Sequence, residues 1–356
     1  MPREVRERRL GAKELPLYSG PDAPVAMAHP HFVMDAIETG NPYPVKAMIV
    51  VGTNPLLTMQ DSGRVMGALR KLDFLVTLDL FMTPTAELSD LVLPVACWLE
   101  RDGIPGSPSY PYCVSICHRA VEPLYQRRSD AEILIELAKR MGLNFPWKSE
   151  EEYNNYRLAP SGLVFEELRK KNVNYITMPK TYEKYKESGF WTPSKKFEFY
   201  STLLEKYGFD PLPDHVPPAQ TSDEYPLIWL TGNRLLEYSH SQGRQIPMLR
   251  LKHPEPEISI HPDTARKLGI ENGEMVFIET PYGKEKKVWM VAKLTEDVHP
   301  RMVVSQHGWW YPEKPGPLHG CFESNVNFLL TLDEYDPIGG SAHTRDIPCR
   351  IKPAKF

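Results

Sequence analysis

Between residues 47 and 93, three short apolar runs alternate with segments of helical spacing, and no other feature constrains the fold as tightly. Ala47-Met48-Ile49-Val50-Val51 ends at Gly52-Thr53-Asn54-Pro55; its length and β-branching suit a strand buried on both faces, as in a parallel sheet. A helix follows, capped by Asp61 or Ser62, with Val65, Met66, Leu69 and Leu72 on one face. Phe74-Leu75-Val76-Thr77-Leu78 runs into Asp79, and after a turn at Thr83-Pro84-Thr85 and a short helix comes Leu91-Val92-Leu93. This order predicts part of a doubly wound parallel α/β sheet.

Residues 129–141 predict a further helix, with Ser129 and Glu132 as a capping box, Ile133, Leu134, Leu137 and Met141 at helical spacing, and Gly142 past its end. The stretch 146–220 is polar, aromatic and Pro-punctuated, and reads as a connector with short helices near 163–171 and 197–206, ending at Pro217-Pro218. From Tyr225 the texture changes to short strands and tight turns. Leu227-Ile228-Trp229-Leu230 ends at Thr231-Gly232, and a helix runs from Pro262 to Gly269. Asn272-Gly273 and Pro281-Tyr282-Gly283-Lys284 are turns around Met275–Ile278, and Val288–Val291 and Met302–Val304 continue the pattern of a small closed β-barrel. The expected domains are 1–145 (partial α/β dinucleotide-binding), 146–220 (connector) and 221–356 (dinucleotide-binding barrel).

Composition excludes several classes. A net charge of −4 with no basic stripe disfavours nucleic acid, and no apolar run approaches the roughly 18–20 residues of a membrane span. Arg8-Arg9 has no hydrophobic stretch behind it, so export on this chain's own signal is not expected and a cytoplasmic location is. The five cysteines form no C-x-x-C pair; Cys113 and Cys117, on one face of a strand read through Tyr112–Cys117, suit packing as well as ligation. With no Gly-rich P-loop and no G-x-G-x-x-G, phosphate-cradling nucleotidases and NAD dehydrogenases are disfavoured.

Ligands of open parallel sheets bind beyond the carboxyl ends of the strands. Gly52 permits close backbone approach, the Asn54 amide before Pro55 can donate and accept, Asp79 can accept two N–H bonds from a guanine edge, and Thr83 and Thr85 offer hydroxyls.

Linked segments make this specific. Gly52-Thr53-Asn54-Pro55, Leu72–Val76, Asp79-Leu80-Phe81-Met82-Thr83-Pro84-Thr85-Ala86, Ser89–Pro94 and Glu100-Arg101-Asp102-Gly103 together resemble the dimethyl sulfoxide reductase superfamily of molybdopterin enzymes. Thr231-Gly232-Asn233-Arg234 and His240-Ser241-Gln242-Gly243-Arg244-Gln245-Ile246-Pro247 resemble loops of that superfamily's final barrel, a six-stranded double-psi fold. The resemblance implies a bis(molybdopterin guanine dinucleotide) cofactor (bis-MGD) with molybdenum or tungsten. Its contacts would be Gly52, Asn54, Pro55, Asp79, Phe81, Thr83, Asp102, Thr231, Gly232, Arg234, His240, Ser241, Arg244, Gln245, Ile246, Asn327 and Arg345. Main-chain N–H groups after Gly232, with the planar fork of Arg244, would hold pyrophosphate, and Asn327 would approach the pterin.

His253-Pro254-Glu255-Pro256, His307-Gly308-Trp309-Trp310-Tyr311-Pro312-Glu313 and Phe322–Asn327 resemble the acetylene hydratase-like branch. Trp309 and Trp310 have two readings, walls of a dry substrate cavity or packing at the barrel mouth, and His307 is a proton donor or a structural histidine. The match begins well inside the family sequence, near Leu15-Pro16-Leu17-Tyr18. The expectation is therefore a C-terminal fragment or subunit with no catalytic residue and no metal ligand of its own. An N-terminal half or partner subunit would carry the iron–sulfur cluster and the metal ligand. Completed, it would oxidise or reduce a small substrate by oxo transfer; non-redox hydration and a non-catalytic structural subunit of a redox complex are the alternatives.

Overall fold

The computed structural model describes residues 2–23, 27–105, 112–171, 175–217, 219–283 and 286–354, so Pro218 and Lys284 of the turns above lie outside the described residues. The chain divides into two compact units. One comprises Met1–Val76, Met82–Asp90 and Leu204–Phe356; the other comprises Thr77–Phe81 and Leu91–Leu203.

The first unit opens with α1 (Arg3–Glu7) and α2 (Pro30–Thr39), which ends at Gly40 with φ 75°. Then come β1 (Ala47–Val51), α3 (Pro55–Thr58), α4 (Ser62–Leu69), β2 (Phe74–Asp79), which runs into the second unit, and α5 (Pro84–Glu87); β3 (Leu91–Pro94) belongs to the second unit. Asp61 caps α4 by accepting the Arg64 N–H. The Lys46 carbonyl accepts from Asp73 and Phe74, while Asp90 N–H reaches the Leu75 carbonyl and Val95 N–H the Asp79 carbonyl. Like ends of neighbouring strands therefore meet, and β2, common to both units, gives the order β1-β2-β3.

Burial of β1 on both faces is not observed. Val50 is buried, but Ile49 and Val51 are 45% and 36% exposed. Met34 and Ile37 of α2 with Val65, Ala68 and Leu69 of α4 cover Val50 and Leu75. Alternate strand residues point to opposite faces, so Ile49 and Val51 face away from that cluster.

In the second unit β4 (Cys113–Ser115) pairs antiparallel with β5 (Tyr175–Thr177). The strand read through Cys117 stops at Ser115. Cys117 instead bridges Gly103, and its thiol donates to the Trp98 carbonyl at 3.1 Å, which separates it from the face of Cys113. The helix expected at 129–141 is α6 (Asp130–Arg140), with both bonds of its capping box formed between Ser129 and Glu132. The sequence reading does not contain α7 (Glu150–Leu158), although Ser149 caps it and three glutamates fill its first turn. With α8 (Phe165–Lys170) it builds a core of Ile116, Leu158, Phe165 and Leu168. The short α9 (Tyr185–Ser188) and α10 (Thr202–Lys206) follow.

The remainder of the first unit is the barrel. Its strands are β6 (Leu227–Leu230), β7 (Glu257–Ile260), β8 (Met275–Glu279), β9 (Val288–Leu294), β10 (Met302–Ser305) and β11 (Ile347–Pro353), closed in the order β10-β6-β11-β8-β9-β7. Helices α11 (Pro247–Arg250), α12 (Pro262–Leu268) and α13 (Cys321–Ser324) sit in its connections. Burial alternates along each strand, so Trp229, Ile258, Ile260, Val276, Met290 and Ile351 fill one interior. Trp229 Nε1 donates to Ser305 Oγ at 2.8 Å, satisfying both buried groups.

Strands β7 and β11 escape the sequence reading, the second because Pro348 and Pro353 resemble loop punctuation. Residues 347–349 pair only with β6 and residues 350–353 only with β8, so each proline sits where one side of the strand is unpaired.

Candidate functional site

The chain leaves β1 through Gly52, whose φ of 56° lies in the left-handed region, and enters α3 at Asn54-Pro55. Pro55 suits the first helical position, and its ring is buried with Leu56 and Leu57. Asn54 is 4% exposed; its Oδ1 accepts the Thr85 hydroxyl, whose oxygen in turn accepts the Leu56 N–H at 3.2 Å. Thr83 caps α5 by accepting the Ala86 N–H. The acceptor half of the Asn54 amide is thus committed to structure. Its Nδ2 is buried and has no partner among the described residues.

At the barrel mouth Thr231 donates to the Thr344 carbonyl at 2.6 Å, and Gly232 turns the chain at φ 86°. Of the main-chain N–H groups after Gly232 expected to hold pyrophosphate, the first is already used. Asn233 N–H donates to the Ser305 carbonyl at 3.0 Å, because the strand pairing of β6 with β10 extends into the turn. Arg234, His240 and Arg345 are exposed, and Ile246 is 40% exposed. Ser241 is buried, its carbonyl accepting Trp310 Nε1 at 2.9 Å.

Arg244 also departs from expectation. It is 2% exposed, with Nη1 on the His240 carbonyl and Nη2 on the His307 carbonyl at 3.2 Å. Its guanidinium lies 4.7 Å from the ring centroids of both Tyr238 and Trp309. Both fork nitrogens are used inside the protein, so they are not presented bidentately to an anion; Arg244 braces the loop from below. Its Nε, the buried Gln245 Oε1 and the Gln306 Oε1 have no partner among the described residues.

Above Arg244, His240 Nδ1 and His307 Nε2 lie 2.6 Å apart, so one ring nitrogen donates and the other accepts. Burial, then the neighbouring His240, Arg244 and Arg234, push the His307 imidazolium down to about 4. Trp309 and Trp310 are core packing. Trp309 joins Tyr238 and Tyr311, and Trp310 joins Leu56, Leu57 and Cys321.

Asn325, which sequence reasoning quoted only within a motif, links these parts. Fully buried, it accepts the N–H groups of Gly308 and Asn327 on Oδ1 and donates through Nδ2 to the Leu57 carbonyl and Ser62 Oγ. Asn327 Nδ2 donates to the same Leu57 carbonyl at 2.8 Å. Two amides flanking a buried Val326 were the available signal. The first unit therefore brings together Asn54, Pro55 and Thr83 with Asn327, the 240–245 loop and His307.

In the second unit Asp79 Oδ1 accepts the N–H groups of Leu80 at 2.6 Å and Phe81 at 3.2 Å. Half of the carboxylate expected to meet a guanine edge is thus folded onto its own turn. Burial raises its affinity for a proton, and nearby Asp130 adds to the effect. Asp130, missed in the sequence, has a buried Oδ1 without a partner among the described residues. Phe81 is 42% exposed. Asp102 accepts the Arg119 N–H at 2.9 Å and pairs with Arg169 at 3.6 Å. It borders a cavity of about 580 Å³ walled by Trp98, Phe145, Trp147 and Tyr153, with Asp130 on its lining.

Comparison with known proteins adds the following. Residues 21–140 match the family described as molybdopterin oxidoreductase, and residues 228–348 the molydopterin dinucleotide binding domain. Acetylene hydratase of Syntrophotalea acetylenica is 35% identical over 335 residues, 90% of this chain and 45% of that protein. Dopamine dehydroxylase of Eggerthella lenta is 28% identical over 434 residues, 98% of this chain and 42% of that protein. The solved acetylene hydratase from Pelobacter acetylenicus superposes with a TM-score of 0.89 at 30% identity, over 99% of this chain and 53% of that one. The chain spans about half the length of the relatives it matches. Among the described residues no helix is long and apolar enough to cross a membrane.

Proposed function

The chain belongs to the molybdopterin oxidoreductases of the dimethyl sulfoxide reductase superfamily, and from that premise we propose that it binds a molybdopterin guanine dinucleotide, as bis-MGD with molybdenum or tungsten, within a larger catalytic unit. The observation that carries this reading is the junction at Leu57. There the turn after β1 meets Asn325 and Asn327, and the loops they support bear polar atoms without a partner among the described residues at Asn54 Nδ2, Arg244 Nε, Gln245 Oε1 and Gln306 Oε1. A buried polar atom without a partner costs roughly 1–3 kcal/mol, and a ligand rich in donors and acceptors removes that penalty. The donor set therefore fits the cofactor.

In this reading Gly52, Asn54, Pro55 and Thr83 line one wall. Thr231, Gly232, Arg234, His240, Ser241, Gln245, Ile246, Asn327 and Arg345 line the other, with Arg244 holding the loop and the exposed Arg234 and Arg345 meeting phosphate. Taken by itself, the second unit presents Asp79, Phe81, Asp102 and Asp130, three carboxylates and a ring of the kind that pairs with a guanine edge. The double-psi description of the barrel belongs to the same proposal. When bound, the metal dithiolene supplies the redox or Lewis-acid chemistry. This chain's residues bind and orient it, and the His240–His307 pair holds one mobile proton between two ring nitrogens.

The completed enzyme would carry out two-electron oxidoreduction of a small substrate, its iron–sulfur cluster and metal ligand lying in a further segment or partner subunit outside this sequence. Likeness to acetylene hydratase favours a second reading, hydration without net electron transfer. Turnover that requires a reductant or oxidant supports the first, and turnover in the absence of both supports the second. The cofactor proposal is tested by pterin fluorescence and metal analysis of the protein isolated with its native partners. A preparation free of both would contradict it.

A further inference from the structure

Arg244 carries a positive charge into the interior, and among the described residues no carboxylate pairs with it. Burying an ion without a counter-charge is costly, so something else must hold it there. Rings and cations interleave in one cluster of Tyr238, Arg244, Trp309, Arg250, Tyr311 and Lys314, in which Tyr238 and Tyr311 also meet Trp309 edge-on at centroid distances of 5.7 and 6.3 Å. The successive cation-to-centroid distances are 4.7, 4.7, 4.9, 5.4 and 4.3 Å. Trp309 is fully buried, with the two guanidinium groups 4.7 and 4.9 Å from its ring centroid. The outer end is tied down by carboxylates, Arg250 by Glu313 at 2.9 Å and Lys314 by Glu323.

We infer that Arg250 is a positioning residue for the His240–His307 pair. Clamped by Glu313, its guanidinium packs on Trp309, and Trp309 packs on Arg244. Arg244 then holds the carbonyls of both histidines so that their rings share a hydrogen bond. A guanidinium keeps a rigid fork while it packs against a ring, whereas an ammonium is a flexible point charge, so arginine suits the middle of the cluster and lysine its more exposed end. The titratable and charged groups around His307 are His240, Arg244 and Arg234; Arg250 acts on the pair only through the packed cluster. Its functional meaning rests on the reading that these loops face the cofactor, but the relation itself is a property of this chain.

The test is nitrogen NMR of ¹⁵N-histidine- and ¹⁵N-arginine-labelled protein across pH, for the natural chain and for Arg250→Gln, Arg250→Lys and Glu313→Gln, with His240→Gln and His307→Gln for assignment. Arg250→Gln should move the His307 midpoint up towards the ordinary histidine value and speed exchange of the Arg244 guanidinium protons by about tenfold, as local opening becomes easier. Arg250→Lys should fall between. Glu313→Gln, which alters a largely exposed carboxylate, should shift both readouts the same way by less, and decides the matter if Arg250→Gln does not fold. Unchanged titration and exchange in Arg250→Gln and Glu313→Gln would overturn the inference. Pterin content of the same samples separates the two ideas, since its absence in the natural protein counts against the cofactor reading alone.

Discussion

The side-chain amide of Asn327 donates to the main-chain carbonyl of Leu57 across 2.8 Å, between residues 270 apart in the chain. This bond fastens the loop before the last barrel strand to the short helix that follows β1. It thereby sets the spacing between two candidate walls of one site.

Asn327→Ala should weaken that junction. Asn325 still donates to the Leu57 carbonyl, so the expected loss is about 1 kcal/mol, near the net worth of one hydrogen bond. Urea denaturation measures the loss, and hydrogen exchange should quicken at residues 54–58 more than in the barrel strands.

Arg244→Met should cost more. It removes the donors of two part-buried carbonyl hydrogen bonds and a cation packed against two rings, an expected loss of about 2–4 kcal/mol. Pterin retention in the isolated protein should fall with it, and Arg244→Lys should not restore either, since an ammonium cannot reach both carbonyls while stacked.

Gly308→Ala tests the closeness of the histidine loops. Gly308 has φ 69°, and an added Cβ would lie 3.0 Å from the His240 carbonyl carbon and 3.1 Å from the Ser241 nitrogen. Left-handed backbone alone costs a non-glycine residue about 1–2 kcal/mol, and the contact would push the His240 loop away. The thermal midpoint should drop, and the His240–His307 coupling seen in imidazole nitrogen shifts should vanish.

Stability should fall on the acid side. The folded value of His307 is depressed to about 4 from an ordinary 6.5, so the unfolded chain binds more protons between those values. Its contribution is fully present above about 6.5 and is lost as pH falls towards 4; burial lowers His29 in the same direction. Denaturation curves at several pH values should give a slope in this window that His307→Gln flattens. An unchanged slope would contradict the depressed value.

Much of this was legible in the sequence because local rules and tertiary packing agreed. The run 47–51, the capped helix at 129–141 and the Pro262–Gly269 helix carry their own boundaries. What escaped depended on partners far along the chain. Pro348 looks like loop punctuation until β6 and β8 are seen to divide β11 between them. Arg244 reads as a phosphate clamp because nothing local reveals Tyr238 and Trp309 packed against it. Asp130 was hidden because a helix-start aspartate is ordinary dipole complementation until its unpaired oxygen is placed beside Asp79.

The most direct measurement is the guanine nucleotide and pterin released by acid from the protein isolated with its native partners, set against its molybdenum and tungsten content. Dinucleotide binding predicts GMP and oxidised pterin in equal amounts together with one of the two metals. Protein that is folded, carries the natural Asn54, Asn325 and Asn327, and releases neither pterin nor GMP would contradict it.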